Sequence, residues 1–286
     1  MRKILSILLV LGFLLAPGQA LAKAKKKAPP EPPKRTQRQE RQLRKNITVD
    51  PRKVTENRDL RKNVKHNGGF VWIQGVPMYD QGNRPECAIA VVKRLLDYYA
   101  SHNNVDMKDL RNALGYRPEF GTNLGFMIRA IQQYSSRLRL KFQGIYDIQM
   151  TQEDLALYNR NVKDKQNKGK LDHNVLDWEQ FVKNLEFPAW RQMRSRDHGR
   201  RKAWAALTRA IDQGIPVVWG VYLGLINEQH RKQNSGGHLR MIIGYNSSKQ
   251  LIYYTDSWGK GHERKSMSWD NAWGITWHLF VLDPMN

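Results

Sequence analysis

Four residues of the chain have the types needed for acyl transfer by a thiol: in chain order, Gln81, Cys87, His238 and Asp256. Cys87 is the single cysteine among 286 residues. The thiolate is the nucleophilic form, and an ordinary thiol, with a pKa of about 8.5, is mostly protonated at neutral pH. The run "RPECAIAVVKRLLDYY" puts Cys87 at the start of a predicted helix, because Ala88, Val91, Val92, Leu95, Leu96 and Tyr99 recur at helical spacing. Pro85 lies just before, where proline suits a first turn. A helix N-terminus offers unsatisfied N–H groups and the positive end of the macrodipole, and both favour a thiolate. A nearby imidazolium lowers the thiol pKa further. His238 follows Gly236 and Gly237 and opens an apolar strand, in "SGGHLRMIIGYN". An acid fixes the tautomer and orientation of such an imidazole, and Asp256 ends the next strand, in "YYTDSWG". Gln81 lies on a turn six positions before Cys87, where its side-chain N–H can meet a developing oxyanion. The backbone N–H of Cys87 is the expected second donor.

Each residue also has a plainer reading. A free cysteine is commonly a small buried hydrophobe, a lone histidine a hydrogen-bonded core residue, an aspartate at a strand end a turn former. The position of Cys87 beside Arg84, Pro85 and Glu86 at a helix start favours the reactive reading. Arg84 is expected to assist the thiolate, and Glu86 to oppose it unless it turns outward. His198 and His262 read as solvent-facing loop residues, whereas His278, in "ITWHLFVL", is the rival to His238. Trp258 is expected to shield an Asp–His hydrogen bond from water. Trp269, Trp273 and Trp277 read as core. There is no HExxH, no paired cysteine and no Gly-rich phosphate loop, so neither a metal nor a cofactor is expected.

The elements that must position these side chains change character along the chain. "VDMKDLRNALG" and "TNLGFMIRAIQQYSSRL" read as helices with an acid or Thr near the start, and "AWAALTRAIDQG" as a helix stopped by Gly214. Residues 68–79 form a short extended lead into a turn at 80–82. The segments 215–223, 238–245, 250–258 and 275–282 are β-rich and separated by turn residues. Helices first and strands last predict an α+β domain with its sheet drawn from the C-terminal half. Residues 145–200 are polar, and 158–174 read as a surface insertion.

With Gln81, Cys87, His238 and Asp256 in this order, the sequence resembles the papain-like cysteine peptidases. That family has a Gln six positions before a Cys that starts its long central helix, a His opening a later strand, and a third member in an "NSWG" stretch, matched here by "DSWG" at 256–259. Two departures stand out. "RPECAIA" replaces the family's Cys-Gly-x-Cys-Trp surroundings, and Asp256 stands where papain has Asn. Both are similar to the branch that removes leader peptides during bacteriocin export, with its pattern "Q…(D/E)C-x-x-A", a helix ending in "YY" and Asp as third member. The resemblance covers about Val71–Leu110 and Ile215–Leu282 and implies hydrolysis of peptide bonds in a peptide or protein substrate. A catalytically inactive binding scaffold of the same fold, a cell-wall amidase and transglutaminase-like acyl transfer are the alternatives.

The first residues, "MRKILSILLVLGFLLAPGQALA", have the build of a secretory signal: Arg2 and Lys3, an apolar run, and a small-x-small site ending at Ala22. The run is short of the roughly 20 residues a transmembrane helix needs. Three parts are therefore expected: a signal at 1–22, a basic, Pro-rich disordered arm at 23–45, and a peptidase domain at 46–286. The protein is expected to be exported to the periplasm, envelope or medium, and to act as a monomer. Residues 23–65 hold sixteen Lys or Arg against five acids, half of the formal net charge of +22. Such an arm suits an anionic envelope surface. The second basic patch, 191–202, has no interleaved aromatic residues on which bases would stack, so no specific nucleic-acid binding is expected.

Overall fold

The computed structural model describes residues 34–55, 57–100, 103, 105–168, 182, 184–228 and 235–285. The proposed signal and the start of the basic arm lie outside these residues, as does most of 169–183. Ten α-helices appear among the described residues, besides three short 3-10 turns: α1 (Gln37–Asn46), α2 (Asn57–Leu60), α3 (Cys87–Tyr99), α4 (Met107–Ala113), α5 (Leu124–Gln133), α6 (Ser135–Leu138), α7 (Gln152–Asn161), α8 (Phe187–Arg194), α9 (Gly199–Asp212) and α10 (Trp269–Ile275). Eight strands complete the fold: β1 (Val64–Asn67), β2 (Phe70–Ile73), β3 (Leu140–Asp147), β4 (Val217–Leu223), β5 (Gly236–Asn246), β6 (Leu251–Thr255), β7 (Lys265–Ser268) and β8 (Thr276–Pro284).

The strands form one antiparallel sheet in the order β1-β2-β5-β4-β8-β3, with β6 and β7 branching from β5. β4 is buried at every position, as its unbroken apolar run "VVWGVYL" requires of a central strand. α3 packs against β5 and carries ten buried residues out of thirteen. It is thus covered nearly all round, more than its amphipathic pattern predicts. The exception to apolarity is Arg94, fully buried, whose guanidinium donates to the carbonyls of Pro77 and Asp256 and to the hydroxyl of Thr255, at 2.6–2.8 Å. Burial pushes its pKa down to about 10, an opposing pull coming from Asp256. This one side chain ties the middle of α3 to the end of β6.

The α+β class holds, but three expectations need correction. The sheet is not built from the C-terminal half alone, because β1, β2 and β3 come from the first 150 residues. β3, "LKFQGIYD", alternates too weakly to be recognised, since it is an edge strand with its polar residues exposed. Residues 37–45 do not belong to a solvated arm. They form α1, opened by a capping box between Thr36 and Gln39 and seated by the buried Leu43. Burying such a leucine contributes about 1.5–3 kcal/mol, and the Tyr134 hydroxyl donates to the Glu40 carboxylate, 2.9 and 3.1 Å from its two oxygens. The charge of α1 therefore lies on a docked helix, with Arg38, Arg41 and Lys45 exposed. Finally, the polar middle is more than a surface insertion. Leu155, Tyr158 and Val162 pack with Ala189, Trp190 and Met193 in a separate small core. The Trp190 indole N–H donates to the Gly274 carbonyl at 2.7 Å, fastening α8 to α10.

Candidate active site

Cys87 is the first residue of α3, and the capping position before it is held by Glu86, whose side chain makes no capping bond. The carboxylate of Glu86 is buried and turned instead to Arg111, with paired contacts at 3.0 and 2.9 Å. The charge expected to oppose a thiolate is thereby neutralised from α4. Arg84 is committed elsewhere: its Nε lies 3.4 Å from the Gln81 carbonyl and 3.7 Å from Glu86, so the assistance to the thiolate expected of it has no counterpart in these contacts.

His238 is on β5, where it is buried. Its Nε2 lies 3.1 Å from Asp256 Oδ1, which leaves Nδ1 for the hydrogen bond with Cys87. The Trp258 indole stacks on the imidazole at 4.3 Å with the planes 5° apart, excluding water from one face. Burial raises the pKa of the Cys87 thiol. The hydrogen bond and charge of His238 outweigh burial, joined by the backbone N–H groups of Leu239 and Ala88, and hold the pKa below its ordinary value. Burial alone would lower the pKa of His238. Its bonds to Asp256 and Cys87 reverse this and raise it. Cys87 and His238 thus favour a thiolate–imidazolium pair.

Asp256 is fully buried at the end of β6. Desolvation would raise its pKa, but Arg240, then His238 and His262, hold it well below the carboxylate range. Arg240 Nε stands 2.8 Å from the same Oδ1 that faces His238. The turn after Asp256 folds back so that its N–H donates to the His262 carbonyl at 3.1 Å. His262 is consequently not a solvent-facing loop residue: it is buried, with Nδ1 3.8 Å from Asp256 Oδ2 and its ring edge-on to Trp258. His198 is exposed. His278 faces Asp147 across β8 and β3, at 2.5 Å, and sits on the rim of the cleft beside Cys87.

Gln81 is buried and fixed from both sides. Its N–H donates to the Ser257 carbonyl at 2.8 Å, and its side-chain Nε2 donates to the Arg84 carbonyl at 2.9 Å. The loop before α3 therefore rests on the Asp256-Ser-Trp-Gly turn. Gly259, with φ +73°, allows this, because a Cβ there would lie 2.6 Å from an Asp80 carboxylate oxygen. A narrow cleft of about 40 Å³ opens beside Cys87 and His238, walled by Leu124, Val221 and Leu239, with Thr122 and His278 lining it too. Larger basins lie elsewhere among the described residues, one of about 430 Å³ between α1 and α4, but they are open and are not lined by Cys87 or His238.

The model of the Peptidase_C39 like family matches residues 73–279. The chain belongs to that family. It is a family of cysteine peptidases and implies a peptide substrate. No curated protein matches the chain. Among solved structures, it is similar to a protein described as a C39-like peptidase from Bacillus anthracis, with 12% identity, a TM-score of 0.42, and 76% of this chain and 98% of that one covered. It is also similar to xylellain, a cysteine protease from Xylella fastidiosa, with 13% identity, a TM-score of 0.38, and 83% and 94% covered. The family match spans Gln81, Cys87, His238 and Asp256 together.

The fold brings Cys87, His238 and Asp256 into one connected row and sets Gln81 against the turn that carries Asp256. Sequence reasoning missed Arg240, Glu228, Arg94 and Arg111. A signal existed for Arg240: two residues after His238 on one strand, it must share a face with it. For Arg94 and Arg111 no such signal exists, because their partners lie on distant elements.

Proposed function

We propose that the protein is an exported peptidase in which Cys87, His238, Asp256 and Gln81 perform the hydrolysis. The Cys87 thiolate attacks the scissile carbonyl carbon, and the resulting oxyanion accepts hydrogen bonds from the Cys87 backbone N–H and the second N–H of Gln81 Nε2. Collapse of the tetrahedral intermediate breaks the C–N bond. The His238 imidazolium gives its proton to the departing amine and leaves a thioester on Cys87. A water then attacks the thioester, losing its proton to His238, and Cys87 departs as the thiolate with release of the acid. Asp256 holds the imidazole in the tautomer and orientation both steps need. The observation that carries this reading is the unbroken row from Cys87 through His238 to Asp256, roofed by Trp258. The narrow cleft beside Cys87 favours a small substrate side chain at that point. Export rests on the build of residues 1–22, and the exposed cations of α1 suit an anionic envelope surface.

The test is the pH profile of Cys87 alkylation by iodoacetamide, run beside turnover of a mixed peptide library. Wild type should react rapidly well below pH ~8.5, the ordinary thiol value, and His238→Ala should restore an ordinary thiol profile. Slow alkylation that follows an ordinary thiol in both proteins would overturn the catalytic reading.

A further inference from the structure

The partner of His238 is a buried carboxylate that a second residue of the same strand, Arg240, also touches. Arg240 has no exposure at all, yet it is held by two acids. Its Nε is 2.8 Å from Asp256 Oδ1, and its Nη1 is 2.9 Å from Glu228 Oε1. Glu228 Oε2 in turn accepts from the Tyr254 hydroxyl at 2.6 Å, and the guanidinium lies over the Tyr254 ring at 4.8 Å and the Trp219 ring at 5.7 Å. A cation wedged between two aromatic faces cannot swing away from Asp256. Because His238 and Arg240 approach the same carboxylate oxygen, they share its charge.

We propose that Arg240 is a positioning residue that sets the charge of the site: bridged between Asp256 and Glu228, it holds the Asp256 carboxylate on His238 and cancels much of that carboxylate's charge there. The inference rests on the peptidase reading of Cys87 and His238 and deepens it. His238 then meets a fixed carboxylate whose charge is partly offset, while Glu228 adjusts how much of the Arg240 charge Asp256 receives. The other groups facing Asp256 are Arg94, on its carbonyl, and His262 and Lys265, each 3.8 Å from Oδ2. None of these is itself altered in Glu228→Gln or Arg240→Gln, so a shift is read against the same set of neighbouring groups.

The two acids on Arg240 make the test directional. Glu228→Gln keeps the hydrogen-bonding shape and removes a negative charge. More of the guanidinium charge then falls on Asp256 and the Cys87–His238 pair, and the acid limb of Cys87 alkylation should move to lower pH. Arg240→Gln removes the positive charge, and the acid limb should move to higher pH, with alkylation on that limb slowing roughly threefold to tenfold for a shift of about half to one pKa unit. Arg240→Lys keeps the charge and should stay within about threefold of wild type on the same limb. Opposite shifts for Glu228→Gln and Arg240→Gln, with Arg240→Lys near wild type, would support the proposal. It is overturned if folded Glu228→Gln keeps the wild-type profile, or if both shift in one direction. It is overturned equally if Arg240→Lys loses as much as Arg240→Gln, which would mean that only the shape of the fork matters. Should Arg240→Gln not fold, judged by its thermal transition, Glu228→Gln decides alone. A wild-type enzyme with no alkylation below the ordinary thiol range would instead fail the peptidase reading itself, so the two failures are told apart.

Discussion

The two walls of the cleft are built on different principles. On the helical wall, Gln81 and Cys87 lie six residues apart on one turn and the helix it opens, and the sheet wall reaches them at few points: His238 and the Leu239 N–H at Cys87, the Ser257 carbonyl at Gln81. Its one liability, the Glu86 carboxylate, is answered by Arg111. On the sheet wall, His238 and Asp256 sit among polar side chains brought from β5, β7, the turn between β6 and β7 and the loop after β4: Arg240, Lys265, His262 and Glu228. Arg94 crosses between the walls. The comparison teaches that the place of Cys87 in the chain aims it, that its lowered pKa comes mainly from His238 across the cleft, and that His238 in turn depends on a tertiary charge network that keeps Asp256 ionised in a dry interior.

The difference can be broken first at the nucleophile. Cys87→Ala should reduce peptide turnover by at least about 10³-fold, while leaving the thermal transition close to wild type, because a small half-buried side chain is replaced by another. The sheet wall should respond in the opposite way. Asp256→Ala leaves Arg240 a buried cation with one acid fewer and should destabilise the fold by about 3–5 kcal/mol, read by chemical denaturation. Gln81→Ala should lower kcat about 10²–10³-fold with KM little changed, the signature of a donor felt mainly in the transition state. That loss in rate without loss of fold would sharpen the contrast with Asp256.

The pH dependence of stability separates the walls further. Arg240 and His238 hold the Asp256 pKa below its ordinary 3.8, so this acid's contribution is present above that value and is lost as pH falls through its lower folded value. The His238 pKa is raised above 6.5, so its contribution is complete below 6.5 and is lost as pH rises through the raised value. Thermal stability should therefore fall below pH 3.8, an expectation to be checked by melting curves across pH. Above 6.5 the loss at His238 is opposed by Cys87, whose lowered pKa makes its contribution grow as pH rises. Asp256→Asn should abolish the acid-side fall due to this group. The smallest effect belongs to α1. Thr36→Ala removes its capping bond and should cost about 1 kcal/mol, which a solvated arm would not show in urea titration.

Much of the site was legible because thiol chemistry demands particular residue types in local settings. A cysteine at the head of an apolar helical run, a Gln on the preceding turn, a His after a Gly-Gly and an Asp before Ser-Trp-Gly are patterns of short range. The strands β4, β5, β6 and β8 were legible from their β-rich apolar runs. What escaped had a single cause, pairing between elements far apart in the chain. β3 finds its partner 136 residues or more downstream in some of its pairs, as Lys141 does in Asp283, so its polar residues could not be told from a linker. His262 looked exposed because nothing near it in sequence says that the turn folds back on Asp256.

The sequence by itself determined which residue is the nucleophile candidate, which histidine and acid accompany it, and that helices and strands share one α+β fold, because residue type and periodicity are carried along the chain. Tertiary structure alone decided how the charges are balanced. Whether Glu86 opposes a thiolate, and how much of the Asp256 charge reaches His238, depend on Arg111 and Arg240 standing within 3 Å of those acids in a buried interior. There electrostatic coupling is strong and falls with distance, and no spacing in the sequence records it.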